Sequence, residues 1–148
     1  MAKQVVDPHY ATRNSEYQQV IATINKEARC PFCSDNFKYH KKPILREFKG
    51  WMITESSWPY PKTQLHLLLI AKAHHERLGE LSDADWQAIG QLVAWAEKKF
   101  GLPGGALALR FGETRYTGAT VCHLHAHIIV PTVDKITNRA TPVIFPIG

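Results

Sequence analysis

Residues 123–127 read His-Leu-His-Ala-His and run directly into Ile-Ile-Val-Pro. Side chains alternate faces along a strand. The spacing therefore predicts that His123, His125 and His127 share one face, while Leu124, Ala126, Ile128 and Val130 turn toward a core. Imidazole is the side chain best suited to metal binding, proton transfer and nucleophilic attack near neutral pH. Packing accounts for one such histidine, but poorly for three in register. Two chemistries fit. One is a three-histidine metal centre that activates water. The other is covalent catalysis, in which one imidazole attacks while its neighbours orient substrate and proton. Upstream, Gly112-Glu113-Thr114-Arg115-Tyr116-Thr117-Gly118-Ala119-Thr120 offers glycines and hydroxyls that suit an anionic oxygen such as phosphate.

A second constellation is Cys30-Pro31-Phe32-Cys33, the C-x2-C spacing of half a tetrahedral zinc site. No second C-x2-C exists, so any further ligands should be histidines, with His66, His74, His75 and one of the triad as candidates. All of these lie more than thirty residues further on, which excludes zinc-finger spacing. A metal here would staple distant segments together. Cys122 is out of register with the triad and reads as a core cysteine.

The elements that must position these groups are legible from periodicity and caps. Residues 1–14 carry Pro8 and little periodicity, as an arm would. Ser15-Glu16-Tyr17-Gln18 resembles a capping box, and Tyr17, Val20, Ile21, Ile24 and Ala28 follow helical spacing, so a helix should run to about Arg29. Ile44–Phe48 and Trp51–Thr54 flank Lys49-Gly50 as a tight hairpin would. Leu65–Ile70 reads as a buried strand. Ser82-Asp83-Ala84-Asp85 begins a second helix with Trp86, Ile89, Val93, Ala96 and Phe100 on one face, ending at Gly101 and Pro103. Ala106–Phe111 and Val121–Val130 read as two more strands, and 133–148 as a tail. Few crossovers are available for parallel pairing. The expectation is α+β: an antiparallel sheet with helices packed on it.

With 148 residues, 45% of them hydrophobic, the chain should form one soluble domain. No apolar run approaches the roughly 20 residues of a membrane span, and the N-terminus lacks a signal-peptide core, so the expected location is the cytoplasm. Three cysteines do not make a disulfide framework. A net charge of +5 fits an anionic substrate or simply a basic surface.

His-Leu-His-Ala-His-Ile-Ile resembles the signature of the histidine triad superfamily of nucleotide hydrolases and nucleotidyltransferases, His-φ-His-φ-His-φ-φ with φ apolar. Leu67–His74, with Leu78, Glu80 and Leu81, is similar to that family's strand-to-helix segment, although Ala71 stands where a proline is usual. Cys30-Pro-Phe-Cys33 resembles the zinc half-site of many members. The likeness spans roughly residues 28–132. It implies that His125 is the nucleophile, forming a nucleotidyl-histidine intermediate, and that His127 contacts phosphate and assists the leaving group. A histidine at 127, rather than glutamine, favours the hydrolase or phosphorylase-like branches. The resemblance also implies a structural zinc held by Cys30, Cys33, His74 and His123, with His66 and His75 outside it, and a homodimer. Many members carry a ribose-binding acid after the second strand. Here Thr54-Glu55-Ser56-Ser57-Trp58 leaves only Glu55, or Trp58 stacking on the base. Where an Asn commonly binds phosphate, this chain has Arg110, and Gly118 and Thr120 match phosphate-proximal positions better. Two other classes compete: a hydrolase or oxygenase whose triad holds a catalytic metal, and a zinc-stapled nucleic-acid-binding module. Against the latter, Lys and Arg are not clustered with interleaved aromatics.

Overall fold

A computed structural model describes residues 3–148; Met1 and Ala2 of the expected arm lie outside them. Helix α1 spans Ser15–Glu27, but Asn14 rather than Ser15 caps it, its side chain accepting from the Tyr17 N–H at 2.8 Å. Asparagine caps as well as serine does. Ala28 ends the helix in the left-handed conformation at φ 53°. Strands β1 (Ile44–Phe48) and β2 (Trp51–Glu55) form the expected hairpin. Both turn residues, Lys49 at φ 44° and Gly50 at φ 79°, take the positive φ of a type I′ turn. Strand β3 covers Thr63–Ala71.

Helix α2 runs Asp83–Phe100 with the Ser82–Asp85 capping box and the left-handed Gly101 in place. Its buried face is Ala88, Ile89, Leu92 and Ala96, whereas Trp86 is 46% exposed. Val93 and Phe100 are partly buried against the same core, so of the expected face only Trp86 turns outward, and the face extends instead to Ala88 and Leu92. Strand β4 (Ala106–Leu109), the single turn α3 (Thr114–Thr117) and strand β5 (His125–Pro131) follow, then a short hairpin of β6 (Val133–Asp134) and β7 (Arg139–Ala140).

The main sheet is antiparallel in the order β1-β2-β3-β5-β4, so the fold is α+β as expected. One face buries Trp51, Ile53, Leu67, Leu69, Ala126 and Ile128 against α2. The opposite face presents Met52, Leu68 and Ile70 beneath Phe32 and Phe37. His66, His125 and His127 have the strand parity of that second face, with His127 opposite Leu68 and His125 opposite Ile70. Helix α1 packs Tyr17, Ile21 and Ile24 with Val6, Ala11 and Val121 in a separate cluster beside it.

Strand β5 begins at His125, four residues later than the sequence predicts. Val121 and Cys122 instead give their backbones to the arm: Val6 bridges Val121, and the Cys122 N–H donates to Val5 O at 3.0 Å. His123 therefore lies before the strand, not on it. Cys122 is half-buried rather than a full core residue.

Candidate active site

The end of β3 and the start of β5 bring together two groups of side chains. In the first, the ligand atoms of Cys30, Cys33, His74 and His123 all lie within 4.8 Å of one another. Cys30 Sγ is 3.4 Å from His123 Nδ1, and Cys33 Sγ is 3.4 Å from His74 Nδ1. Tetrahedral zinc with ordinary bond lengths sets sulfur and nitrogen ligands about 3.6 Å apart. The cluster is thus compatible with zinc. The far nitrogens are also held. His123 Nε2–H donates to Ala71 O at 2.5 Å, and His74 Nε2–H donates to Glu76 Oε1 at 2.9 Å. Those bonds leave each Nδ1 lone pair facing the thiols, the tautomer a metal requires. Burial pushes the Cys30 thiol up to about 12, the cost that a bound cation would offset.

In the second group, His125 Nδ1–H donates to His123 O at 2.7 Å, which leaves the Nε2 lone pair free. His127 is wired through a residue that sequence reasoning set aside. The Tyr60 N–H donates to His66 Nδ1 at 3.1 Å. His66 must then carry its proton on Nε2, which donates to His127 Nδ1 at 2.8 Å. His127 in turn carries its proton on Nε2, and that atom is buried with no partner. A backbone amide thus fixes the tautomers of two imidazoles in series. Phe32, between the two cysteines, packs edge-on against His125 with centroids 5.0 Å apart, so the Cys30–Cys33 turn also braces that ring.

His125 and His127 line a cavity of about 600 Å³, together with Trp58, Gly118, Thr120 and Arg110. Glu55 does not line it. Arg110 donates to Pro146 O at 2.8 Å and Tyr60 Oη at 3.2 Å, while its buried Nε has no partner. Gly118, at φ 68°, lies against the end of the tail; a Cβ there would meet Gly148 O at 2.9 Å. The loop before the triad turns part of its polarity inward. Gly118 N–H donates to Thr114 O, Ala119 N–H to Thr117 Oγ1, and Thr120 Oγ1 to Tyr10 O. Trp58 packs against Tyr17 with the rings tilted at 47° and donates to Glu16. The tail supplies Phe145 against His127, at 5.2 Å, and Ile144 and Pro146 to the wall. His75 joins neither group.

Burial holds His66 down to about 4 and His125 to about 3, with Arg13 and Arg110 adding to the effect; His127 also lies well below the ordinary range through burial, the neighbouring His125 and His66, and the same two arginines. For His66 the folded state binds fewer protons than the unfolded state between about pH 6.5 and 4. Its stabilising contribution is complete above 6.5 and is lost as pH falls through that window. Glutamine can accept from Tyr60 and donate to His127 without titrating. His66→Gln should flatten the acid limb of denaturant-measured stability by on the order of 3 kcal/mol. Identical acid limbs in the two proteins would show that His66 titrates no differently when folded.

His66 could have been found by parity. It shares a face with Leu68 and Ile70, and pairing β3 with β5 brings that face to the triad. Nothing in the local sequence marks Tyr60 or the tail.

A protein-family model described as the HIT domain matches residues 59–133, just over half of the chain. No match exists among curated proteins. Among solved structures, the chain is similar to a hypothetical protein from Leishmania major (24% identity, 82% of this chain and 81% of that one, TM-score 0.59). It is also similar to a HIT family hydrolase from Clostridium thermocellum (24%, 72% and 93%, 0.53). A third is a Zn-bound histidine triad family protein from Mycobacterium smegmatis (26%, 76% and 83%, 0.52).

Proposed function

The chain belongs to the HIT domain family, and on that premise we propose that it is a nucleotide hydrolase or nucleotidyltransferase with His125 as nucleophile. The observation that carries this is the free Nε2 of His125, held toward a cavity that also contains two orphaned buried donors, His127 Nε2–H and Arg110 Nε–H. Buried donors without partners are costly, and phosphoryl oxygens would satisfy both. His125 Nε2 attacks the α-phosphorus, forming a P–N bond as the bond to the leaving group breaks with its electron pair. The positive charge on the ring rests on Nδ1–H against His123 O. His127 Nε2–H donates a hydrogen bond to phosphate and leaving-group oxygens. Water, or a second acceptor hydroxyl or phosphate, then forms the new bond to phosphorus and gives up its proton to the departing group or solvent, and the P–N electron pair returns to His125. Gly118, Thr120, Arg110 and Trp58 bind the nucleotide.

Cys30, Cys33, His74 and His123 hold zinc, which ties the α1 loop to the sheet and does no chemistry on the substrate. The three triad rings do not converge on one position, because His123 faces the thiols; a three-histidine catalytic metal centre therefore lacks support. Among the described residues no helix is long and apolar enough to cross a membrane.

Turnover tests the reading. The protein should release nucleoside monophosphate from a nucleoside phosphoramidate or a dinucleoside polyphosphate, and added chelator should not stop the reaction quickly. Failure on both substrate types would overturn it.

The partner is a second copy of the chain. Strand β4 ends the sheet, and Leu107 and Phe111 beside that edge are each 51% exposed. Light scattering at micromolar concentration should give twice the chain mass; a monomer mass would contradict the dimer.

A further inference from the structure

We propose that Arg13 binds the phosphates of the leaving group, so that the favoured substrate is a nucleotide whose leaving group is itself a phosphate chain, as in a dinucleoside polyphosphate, rather than an amine. This rests on the nucleotidyl-transfer chemistry above but selects within it. Arg13 lies in the segment before α1, outside the residues the family model matches, and reaches the same cavity as His125 and His127. Its guanidinium is set between two rings, 4.3 Å from the centroid of Tyr17 and 5.2 Å from that of Tyr60. Tyr60 also accepts from Arg110, so the two guanidinium groups flank one tyrosine.

Among the described residues Arg13 has no carboxylate partner, and its guanidinium donates to no hydrogen-bond acceptor. The nearest acid along the helix, Glu16, is taken by Lys41 and by Trp58 Nε1. The cavity wall contains two arginines and no aspartate or glutamate. Guanidinium is suited to bidentate phosphate recognition, and two of them exceed what one α-phosphate requires.

The wiring of His127 points the same way. Its Nδ1 accepts from His66, so the ring is a neutral Nε2–H donor. A neutral imidazole gives a good hydrogen bond but yields its proton reluctantly. An amine leaving group must be protonated to depart. A phosphate chain leaves as an anion: the α-phosphorus to bridging-oxygen bond breaks, the pair stays on that oxygen, and no proton is needed. What it requires is fixed positive charge nearby, which Arg13 supplies.

The test uses the full-length protein and Arg13→Gln, which keeps a polar side chain and removes the charge. Substrates are a dinucleoside tetraphosphate and a nucleoside phosphoramidate of the same base, with nucleoside monophosphate affinity and melting temperature measured alongside. The expected result is a kcat/KM loss of about 10–100-fold on the polyphosphate, with phosphoramidate turnover and monophosphate affinity nearly unchanged. Arg13→Lys should recover part of the loss. Equal losses on both substrates, a loss that tracks melting temperature, or no loss would overturn the proposal. Wild-type turnover of the phosphoramidate but not the polyphosphate would overturn it too. Turnover of neither would remove instead the chemistry on which it rests.

Discussion

Replacing His125 with alanine should lower nucleotide turnover by several orders of magnitude, on the order of 10⁴-fold or more, and leave fold and metal content intact. The ring makes one hydrogen bond, to His123 O, and packs edge-on against Phe32, so its loss opens a small gap rather than breaking the sheet. Among the described residues no other imidazole of the cavity offers a free lone pair: both ring nitrogens of His40 are engaged by Thr54 and Ser57. His127 Nε2 carries a proton, and the lone pairs of His66 Nδ1 and His127 Nδ1 are engaged. Nucleotide affinity should stay close to wild type, because Arg110 and His127 keep their donors. His127→Ala should slow turnover less, and least for good leaving groups, since its contribution falls on departure of that group. Steady-state kinetics on both variants, with circular dichroism and metal analysis, check this. A His125→Ala protein turning over at near wild-type rate would end the nucleophile assignment.

Cys30→Ser should act through the fold. The four residues of the cysteine–histidine cluster come from three separated stretches: the Cys30–Cys33 turn, His74 just after β3, and His123 before β5. Metal bound in the folded state stabilises it directly. Loss of the metal should remove about 3–5 kcal/mol and lower the melting temperature by roughly 10–20 °C. Zinc should fall from about one per chain to near zero. Activity should fall with it, because the Cys30–Cys33 turn holds Phe32 against His125. His123→Ala should resemble Cys30→Ser rather than His125→Ala, although His123 and His125 belong to one motif. Full stability in a metal-free preparation would refute the staple.

That division within one motif explains what could and could not be read from sequence. The Lys49-Gly50 turn and the Ser82–Asp85 cap were legible because each is fixed by local chemistry over a few residues. That His125 and His127 share one sheet face was legible because strand parity is local too. The start of β5 was not. Whether Val121 and Cys122 extend the strand depends on competition from the arm more than a hundred residues away. The extent of the buried face of α2 was ambiguous because its apolar residues cover more than one stripe at helical spacing, and only the sheet beneath decides which of them turn inward. His66 was not legible, because a lone histidine in an apolar run has no local mark of use. Its role emerges from pairing with β5 and from the Tyr60 amide. Arg13 and the tail lie outside the motif-bearing segment, and they reach the cavity only through tertiary packing.

The most direct measurement is the intact mass of the protein quenched in base during turnover of a nucleotide substrate. A fraction of the protein should gain the mass of one nucleotidyl group, bound at His125. The adduct should survive alkali and be lost in acid, as a phosphorus–nitrogen bond requires, and it should be absent from His125→Ala. Turnover at full rate with no such adduct at any time, under conditions that preserve a phosphohistidine standard, would contradict covalent catalysis by His125.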